Sequence, residues 1–314
     1  MHYTASDFEA SPTEQGLHPD HVHHLNQQIR PHSVNGQLRL RFEWHETSGQ
    51  TVLAECAQRP PLKVVRAFPL ADGAALVHLH NLSGGVLGGD HLKMQVEVGR
   101  EACAQLTTTS ATRLYRCQEA ASDAVQLNEI SVGENATLEY LPDPLIPFAG
   151  ARYQQHTIIE LEKGAGLFWW EIVAPGREAF GELFAYQRLA LNVEIKAEGR
   201  VIALERHRLE PGLRPMNSPA RLGHYRYFAS FYLCRVGVDA SRWLRMEKDL
   251  SELAEQLSRR DEVLWGISTL PAHGLIVRAL SVGGRDVLPG LTAFWQAAKL
   301  ELYQREAVLP RKMW

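Results

Sequence analysis

Apolar and polar residues alternate along most of this chain. Leu38, Leu40, Phe42 and Trp44 share one phase while Arg39, Arg41 and Glu43 take the other, which is the period of a half-buried strand. Leu92, Met94, Val96 and Val98 repeat it against Lys93, Gln95 and Glu97, and Ala102, Ala104, Leu106 and Thr108 resume it after Gly99. Further short strands are predicted near 51–57, 62–68, 76–81, 124–130, 136–140, 153–162, 166–173, 189–195, 201–205 and 273–279. Turns such as Val132-Gly133-Glu134-Asn135 and Glu198-Gly199-Arg200 separate several of them. This spacing predicts a large antiparallel or layered sheet structure, not βαβ units. Two stretches carry the helical period instead. Trp243, Met246, Leu250, Leu253 and Leu257 follow Asp239, a suitable N-cap, and predict a helix over about 240–258. Leu291, Phe294, Trp295, Ala298 and Leu302 predict a second helix over about 290–303. The fold class is mainly β, with two α-helices.

The richest stretch runs from Asn81 to Arg116 and joins a glycine-dense turn to two alternating strands. Gly84-Gly85 and Gly88-Gly89 bracket Val86-Leu87, so the backbone there either takes positive φ or lies close to neighbouring chain. Asp90 either caps this turn by accepting backbone N–H bonds or lines a polar path. The turn is no phosphate loop, because GxxxxGK[ST] and GxGxxG are missing and a strand follows where a phosphate site needs a helix start. Thr107, Thr108, Thr109, Ser110 and Thr112 form a run of hydroxyls leading to Arg113, Tyr115 and Arg116. Such hydroxyls pair across a sheet or line an internal polar surface, and no histidine or lysine stands at a spacing that would activate one as a nucleophile. His78 and His80 share a strand face, a geometry suited to a metal pair and equally to a solvated face. Between Tyr140 and Tyr153, Pro142, Pro144 and Pro147 predict a rigid, unpaired loop. The charges of Gly176-Arg177-Glu178 and Gly181-Glu182 meet a partner or each other.

Composition narrows the classes. With 314 residues, 45% hydrophobic and 22% charged, the chain can bury a substantial core. A formal charge of −3 offers no electrostatic case for nucleic acid, and no apolar run approaches the roughly 20 residues that cross a bilayer. Residues 1–33 read as a flexible leader before a single mainly-β domain over 34–314, and the leader lacks the basic end and apolar core of a secretory signal. Its histidines, His21, His23 and His24 among them, suit weak, transient binding of a divalent ion or are incidental to a polar leader. Cys56, Cys103, Cys117 and Cys234 lie far apart without a CxxC pair, which fits buried thiols in a reducing cytoplasm. A terminal Trp314 behind a basic pair predicts packing against the body or a partner.

Several of these segments together resemble the UreD (UreH) family of urease accessory proteins. The resemblance is carried by NLSGGVLGGD at Asn81–Asp90, LTTTSATRLYR at Leu106–Arg116, YLPDPLIPFAGARY at Tyr140–Tyr153, GREAFGE at Gly176–Glu182, Glu205-Arg206 and the closing PRKMW. It spans about Gly36 to Trp314, with Leu82 where proline is more usual and Lys312-Met313 as a mild departure. The resemblance implies helically stacked β-strands plus two helices, and a non-enzymatic maturation factor in the cytoplasm. It implies assembly with UreF and the GTPase UreG on apo-urease, with nickel(II) in transit and no tightly bound cofactor. Asp90, Thr107, Thr108 and Arg116 fall within its motifs and are the candidates for a polar interior that passes an ion, beside the glycine turn of Gly84, Gly85, Gly88 and Gly89. The alternative is a metal-binding or hydrolytic protein using Asp90, His91 or His273, although HExxH and GxSxG are missing.

Overall fold

The alternating segments become strands with one buried face in the computed structural model, which describes residues 33–118 and 122–310. In chain order these are β1 (Asn35–His45), β2 (Gln50–Arg59), β3 (Leu62–Lys63), β4 (Ala67–Pro69), β5 (Ala75–Asn81) and β6 (His91–Val98). There follow β7 (Cys103–Thr108), β8 (Thr112–Leu114), β9 (Ala124–Val132), β10 (Thr137–Tyr140), β11 (Leu145–Pro147) and β12 (Arg152–Leu161). Then come β13 (Gly166–Val173), β14 (Arg188–Ala197), β15 (Arg200–Leu209), β16 (Tyr227–Arg235), helix α1 (Ala240–Leu257), β17 (Val263–Thr269), β18 (Gly274–Ser281) and helix α2 (Val287–Tyr303).

Two sheets face each other. One has seven strands in the order β15-β14-β12-β9-β6-β1-β2, and the other follows the path β17-β18-β16-β13-β10-β7-β5-β3. The layered expectation holds, but the antiparallel one fails in the interior of both sheets. Strands β1, β6, β9, β12 and β14 pair in parallel, as do β5, β7, β10 and β13. Parallel neighbours need a long crossover, and here each crossover passes through the opposite sheet in place of a helix. The chain therefore winds between the sheets in rungs. Antiparallel pairs close the margins, with β2 on β1, β15 on β14, and β16, β18 and β17 beyond β13.

Packing follows from the alternation. Leu40, Phe42, Val96, Ile130, Leu138, Ile159, Trp169 and Tyr232 meet between the sheets. The outward face of the first sheet is a ladder of ion pairs, among them Lys93–Glu129 at 2.8 Å and Lys196–Glu194 at 2.9 Å. The outward face of the second sheet is apolar, and α1 and α2 cover it with Trp243, Met246, Leu250, Leu291, Phe294 and Trp295. Each fully buried side chain of this size stabilises the fold by about 1.5–3 kcal/mol. Asp239 caps α1 as expected, accepting the Ser241 N–H at 2.8 Å. Helix α2 starts at Val287, so Pro289 sits in its first turn, where its missing N–H has no helical acceptor to lose.

Two expectations need correcting. Leu62–Phe68 is not one strand but bends into β3 and β4, which pair with different parts of β5. The proline loop is not unpaired, because β11 runs parallel to β8 and touches β13. Prolines lose donors and not acceptors: Pro144 O accepts from Thr112 N at 2.9 Å and Pro142 O from the Trp170 indole at 2.8 Å. The pattern also passes over β16, whose run YFASFYLCR is buried on both faces between β13 and β18 and so shows no alternation.

Candidate functional site

Both predicted uses of glycine occur in the turn before β6, divided by position. Gly84 and Gly89 have φ of +72° and +87°. A Cβ on Gly85 would stand 2.6 Å from Arg113 O, and one on Gly88 would stand 2.6 Å from Cys117 Sγ. Those gaps admit no methyl group, so β8 and the chain after it lie directly on the turn. Asp90 is fully buried and acts as a cap, its Oδ2 accepting Leu87 N–H at 2.9 Å and its Oδ1 accepting Val34 N–H at 3.2 Å. The carboxylate thereby fastens the entry to β1 onto the turn.

The hydroxyl run divides by face. Thr107 points away from the first sheet and donates to Leu141 O at 2.7 Å. Thr108 points inward, donating to Asp143 Oδ2 at 3.1 Å and accepting Asp143 N–H at 2.8 Å. Arg116 is exposed, and its side chain lies beside Gly150. The four motif residues thus do not converge. His78 and His80 lie half-buried on β5, with His78 edge-on to Phe68 at 5.7 Å. Burial, and then the neighbouring His78, push the pKa of His80 down. His21, His23 and His24 and the closing Arg311–Trp314 lie outside the described residues. The GREAFGE charges meet one another and the body: Arg177 pairs with Glu182 and stacks on Phe148 at 4.4 Å, while Glu178 pairs with Arg226.

A different set of residues converges between the sheets. Gln126 and Asn128 of β9 and Gln155 and Thr157 of β12 occupy the inward phase of their strands, where Ile130 and Ile159 otherwise continue the apolar core. Asn128 donates to Thr157 Oγ1 at 3.1 Å, and Gln126 donates to Asn128 Oδ1 at 2.9 Å. The Tyr153 hydroxyl lies 3.0 Å from Gln126 Oε1 and 2.9 Å from Gln155 Oε1, and Gln155 donates in turn to Glu171 Oε1. This network borders two cavities. One, of about 130 Å³, is lined by His80, the glycine turn and Thr108–Arg113; the other, of about 40 Å³, is lined by Asn128, Tyr153, Gln155 and Glu171. Thr108, Thr112, Gln126 and Tyr140 form walls of both.

Beyond Glu171 the polar line continues along the register Glu171, Ser230, Arg278 across β13, β16 and β18. Opposite it, buried Glu205 of β15 accepts from the Tyr232 hydroxyl at 2.6 Å and pairs with Arg278 at 2.9 Å and His207 at 3.2 Å. The two carboxyls are driven apart in acidity. Burial, only partly offset by Gln155 and His207, pushes Glu171 up to about 7. Burial also acts on Glu205, but the hydrogen bonds from His207 and Tyr232 and the charge of Arg278 outweigh it and hold its pKa at about 2. The result is a transverse polar seam of amides, hydroxyls and one proton-labile carboxyl. Among the described residues, no three of His, Cys, Asp and Glu are gathered as a metal site.

The sequence motifs supply Thr108, Tyr153 and Glu205 to this seam, and Thr112 and Tyr140 to the walls of its cavities. Its amides were legible in another way, since Gln126, Asn128, Gln155 and Thr157 put polar residues on the phase that Ile130 and Ile159 mark as core.

Comparison with known proteins assigns the chain. The family model described as UreD urease accessory protein matches residues 34–314. A urease accessory protein UreD of Herpetosiphon aurantiacus is 46% identical over 281 residues, covering 90% of this chain and 97% of that protein. Proteins of the same name from Lachnoclostridium phytofermentans and Pseudomonas aeruginosa are 29% identical over 277 residues and 35% identical over 228, covering 88% and 73% of this chain and 97% and 76% of theirs. The chain belongs to the UreD family of urease accessory proteins.

Proposed function

We propose that this chain is a cytoplasmic scaffold for urease maturation that assembles with UreF and the GTPase UreG on apo-urease, and that nickel(II) travels along its polar seam. The reading is supported by family membership and, at the level of residues, by one observation: an enclosed line of oxygen donors leading to Glu171. Neutral amide and hydroxyl oxygens are modest ligands for nickel compared with imidazole or thiolate, so they favour release over storage. Glu171 supplies the charge. With a pKa near 7 it exchanges a proton for a cation at little cost in the neutral range. Nucleotide hydrolysis falls to UreG in this scheme, and the chain contributes position and passage.

The test is co-expression with UreF, UreG and apo-urease, capture through a tag on this chain, and measurement of nickel content and urease activity in the product. The expected result is a complex that activates urease only when this chain is present, and that loses most activation with Glu171→Leu while still assembling. Assembly without any dependence of activation on Glu171 would refute the seam as the route. Absence of assembly from a folded chain would refute the scaffold role.

A further inference from the structure

The two sheets do not end together. Glu205 and His207 of β15 reach Tyr232 and Phe228 of β16, and the second sheet then continues through β18 to β17. Among the described residues β15 pairs only with β14, so the described first sheet stops there while its partner extends beyond it. The inner face of β17 and β18, which no described residue covers, forms a groove of about 480 Å³ with Leu264, Gly266, Arg278 and Leu280 on its floor. Its walls include Phe228, Met216 and Arg221. Leu264 is 49% exposed on a strand whose other face is core.

An edge strand presents unpaired N–H and C=O groups, and natural edges are blunted by bulges or by cover. The bulge of β15 lies near its start, where the pairing shifts at Ile195/Lys196, and leaves Glu205–Leu209 in regular register beside the groove. A strand added there would sit about 4.8 Å beyond β15 and about 10 Å above β17 and β18, the ordinary spacings of a sandwich. Charge selects what kind of strand. The ionisable residues that line the groove are His207, Arg221 and Arg278, with no Asp or Glu among the described lining residues. The nearest carboxylate, Glu205, is buried and already engaged by its donors.

We propose that this overhang receives an extended segment of a partner polypeptide, added as an eighth strand at the free edge of β15. Its apolar side chains alternate onto Leu264, Leu280 and Phe228, and a carboxylate faces Arg221 and Arg278. The mode is β-augmentation, with main-chain bonds giving affinity and the groove giving specificity. The proposal draws on the maturation-complex reading for the source of the partner and not for the site.

Hydrogen exchange on the captured complex and on the free chain tests it. Expected is slowing of about tenfold or more at the alternate N–H groups of β15 that face away from β14, abolished by Leu264→Glu and unaffected by Leu204→Lys on the solvent face of the same strand. A complex that forms without this protection overturns the proposal and leaves the scaffold reading standing. A synthetic peptide alternating Thr and Leu about a central Glu gives an arm independent of the complex. Saturable binding weakened about tenfold or more by Leu264→Glu, and by Lys in place of the peptide's Glu, supports the site even if no complex assembles. No binding of this probe together with no protection in the complex or no complex overturns it. So does protection of the β15 edge already present in the isolated chain, whether as a monomer covered from within or as a dimer of two copies seen by light scattering.

Discussion

Glu171 loses water with only partial compensation from Gln155 and His207, whereas Glu205 loses water and gains three donors, and their pH signatures have opposite signs. The folded pKa of Glu171, about 7, lies above its ordinary value of 4.5, so the folded chain keeps a proton that the unfolded chain has released. Its contribution to stability is complete below about pH 4.5 and is lost as pH rises through about 7. Glu171→Gln is expected to stabilise the chain by about 3 kcal/mol at pH 8 relative to pH 4, read from denaturation midpoints at both values. Glu205, depressed to about 2, contributes stability that is present above about pH 4.5 and is lost as pH falls through about 2. Glu205→Gln is expected to cost about 3 kcal/mol at neutral pH and to flatten the acid limb of the same profile. Period-2 alternation states which face a residue takes, so Thr107 and Thr108 had to part company, and it exposes Gln155 as a polar residue in a core phase. What it does not contain is pairing between Glu205 and Arg278, or the meeting of Gln155 with Glu171, because those contacts join different sheets.

At the scale of the element, the turn before β6 separates two kinds of glycine. Alanine at Gly84 or Gly89 meets the left-handed backbone penalty, about 1–2 kcal/mol each. Alanine at Gly88 must instead displace Cys117, and at Gly85 the Arg113 carbonyl and Tyr115, with an expected cost of about 1–3 kcal/mol or more. Thermal unfolding checks the sizes, and a Gly88→Ala, Cys117→Ala double variant separates the mechanisms, since removing Sγ should recover part of the loss for Gly88 and none for Gly84. The helices were legible to within a turn because amphipathic spacing and a cap are local facts. Strand β16 was not, because burial on both faces erases the alternation that would announce it, and β17 offered only Val263, Trp265 and Ile267 around Gly266.

The whole molecule is tied across its layers at Lys299. This buried side chain of α2 lies 2.7 Å from Glu139 Oε1 on β10 and 3.1 Å from Asp72 Oδ2. Burial works against its charge, but Glu139 and Asp72 hold its pKa above the ordinary lysine value. Gln105 completes the junction, donating to Glu139 at 2.7 Å and to Val308 O at 2.9 Å, which fastens the chain after α2 to the second sheet. Lys299→Met is expected to cost about 3–5 kcal/mol because two carboxylates lose their cation, and Glu139→Gln in the same chain is expected to recover part of it. Chemical denaturation of the four chains in this cycle measures both.

The winding of the chain between the sheets bears also on assembly. Val125 pairs with His91, 34 positions earlier, Gln154 pairs with Val125, 29 positions earlier, and Ala190 pairs with Gln154, 36 positions earlier. Parallel pairing ordinarily couples distant parts of a sequence and folds slowly, but here every interior rung closes on the one made just before it. The molecule is in this respect a one-dimensional stack, and each rung finds its template already standing as the chain lengthens from the amino end. A residue deleted within β12 would invert the faces of that strand, turning Gln155 out of the seam, whereas the same deletion in a turn between rungs would leave every ladder in frame.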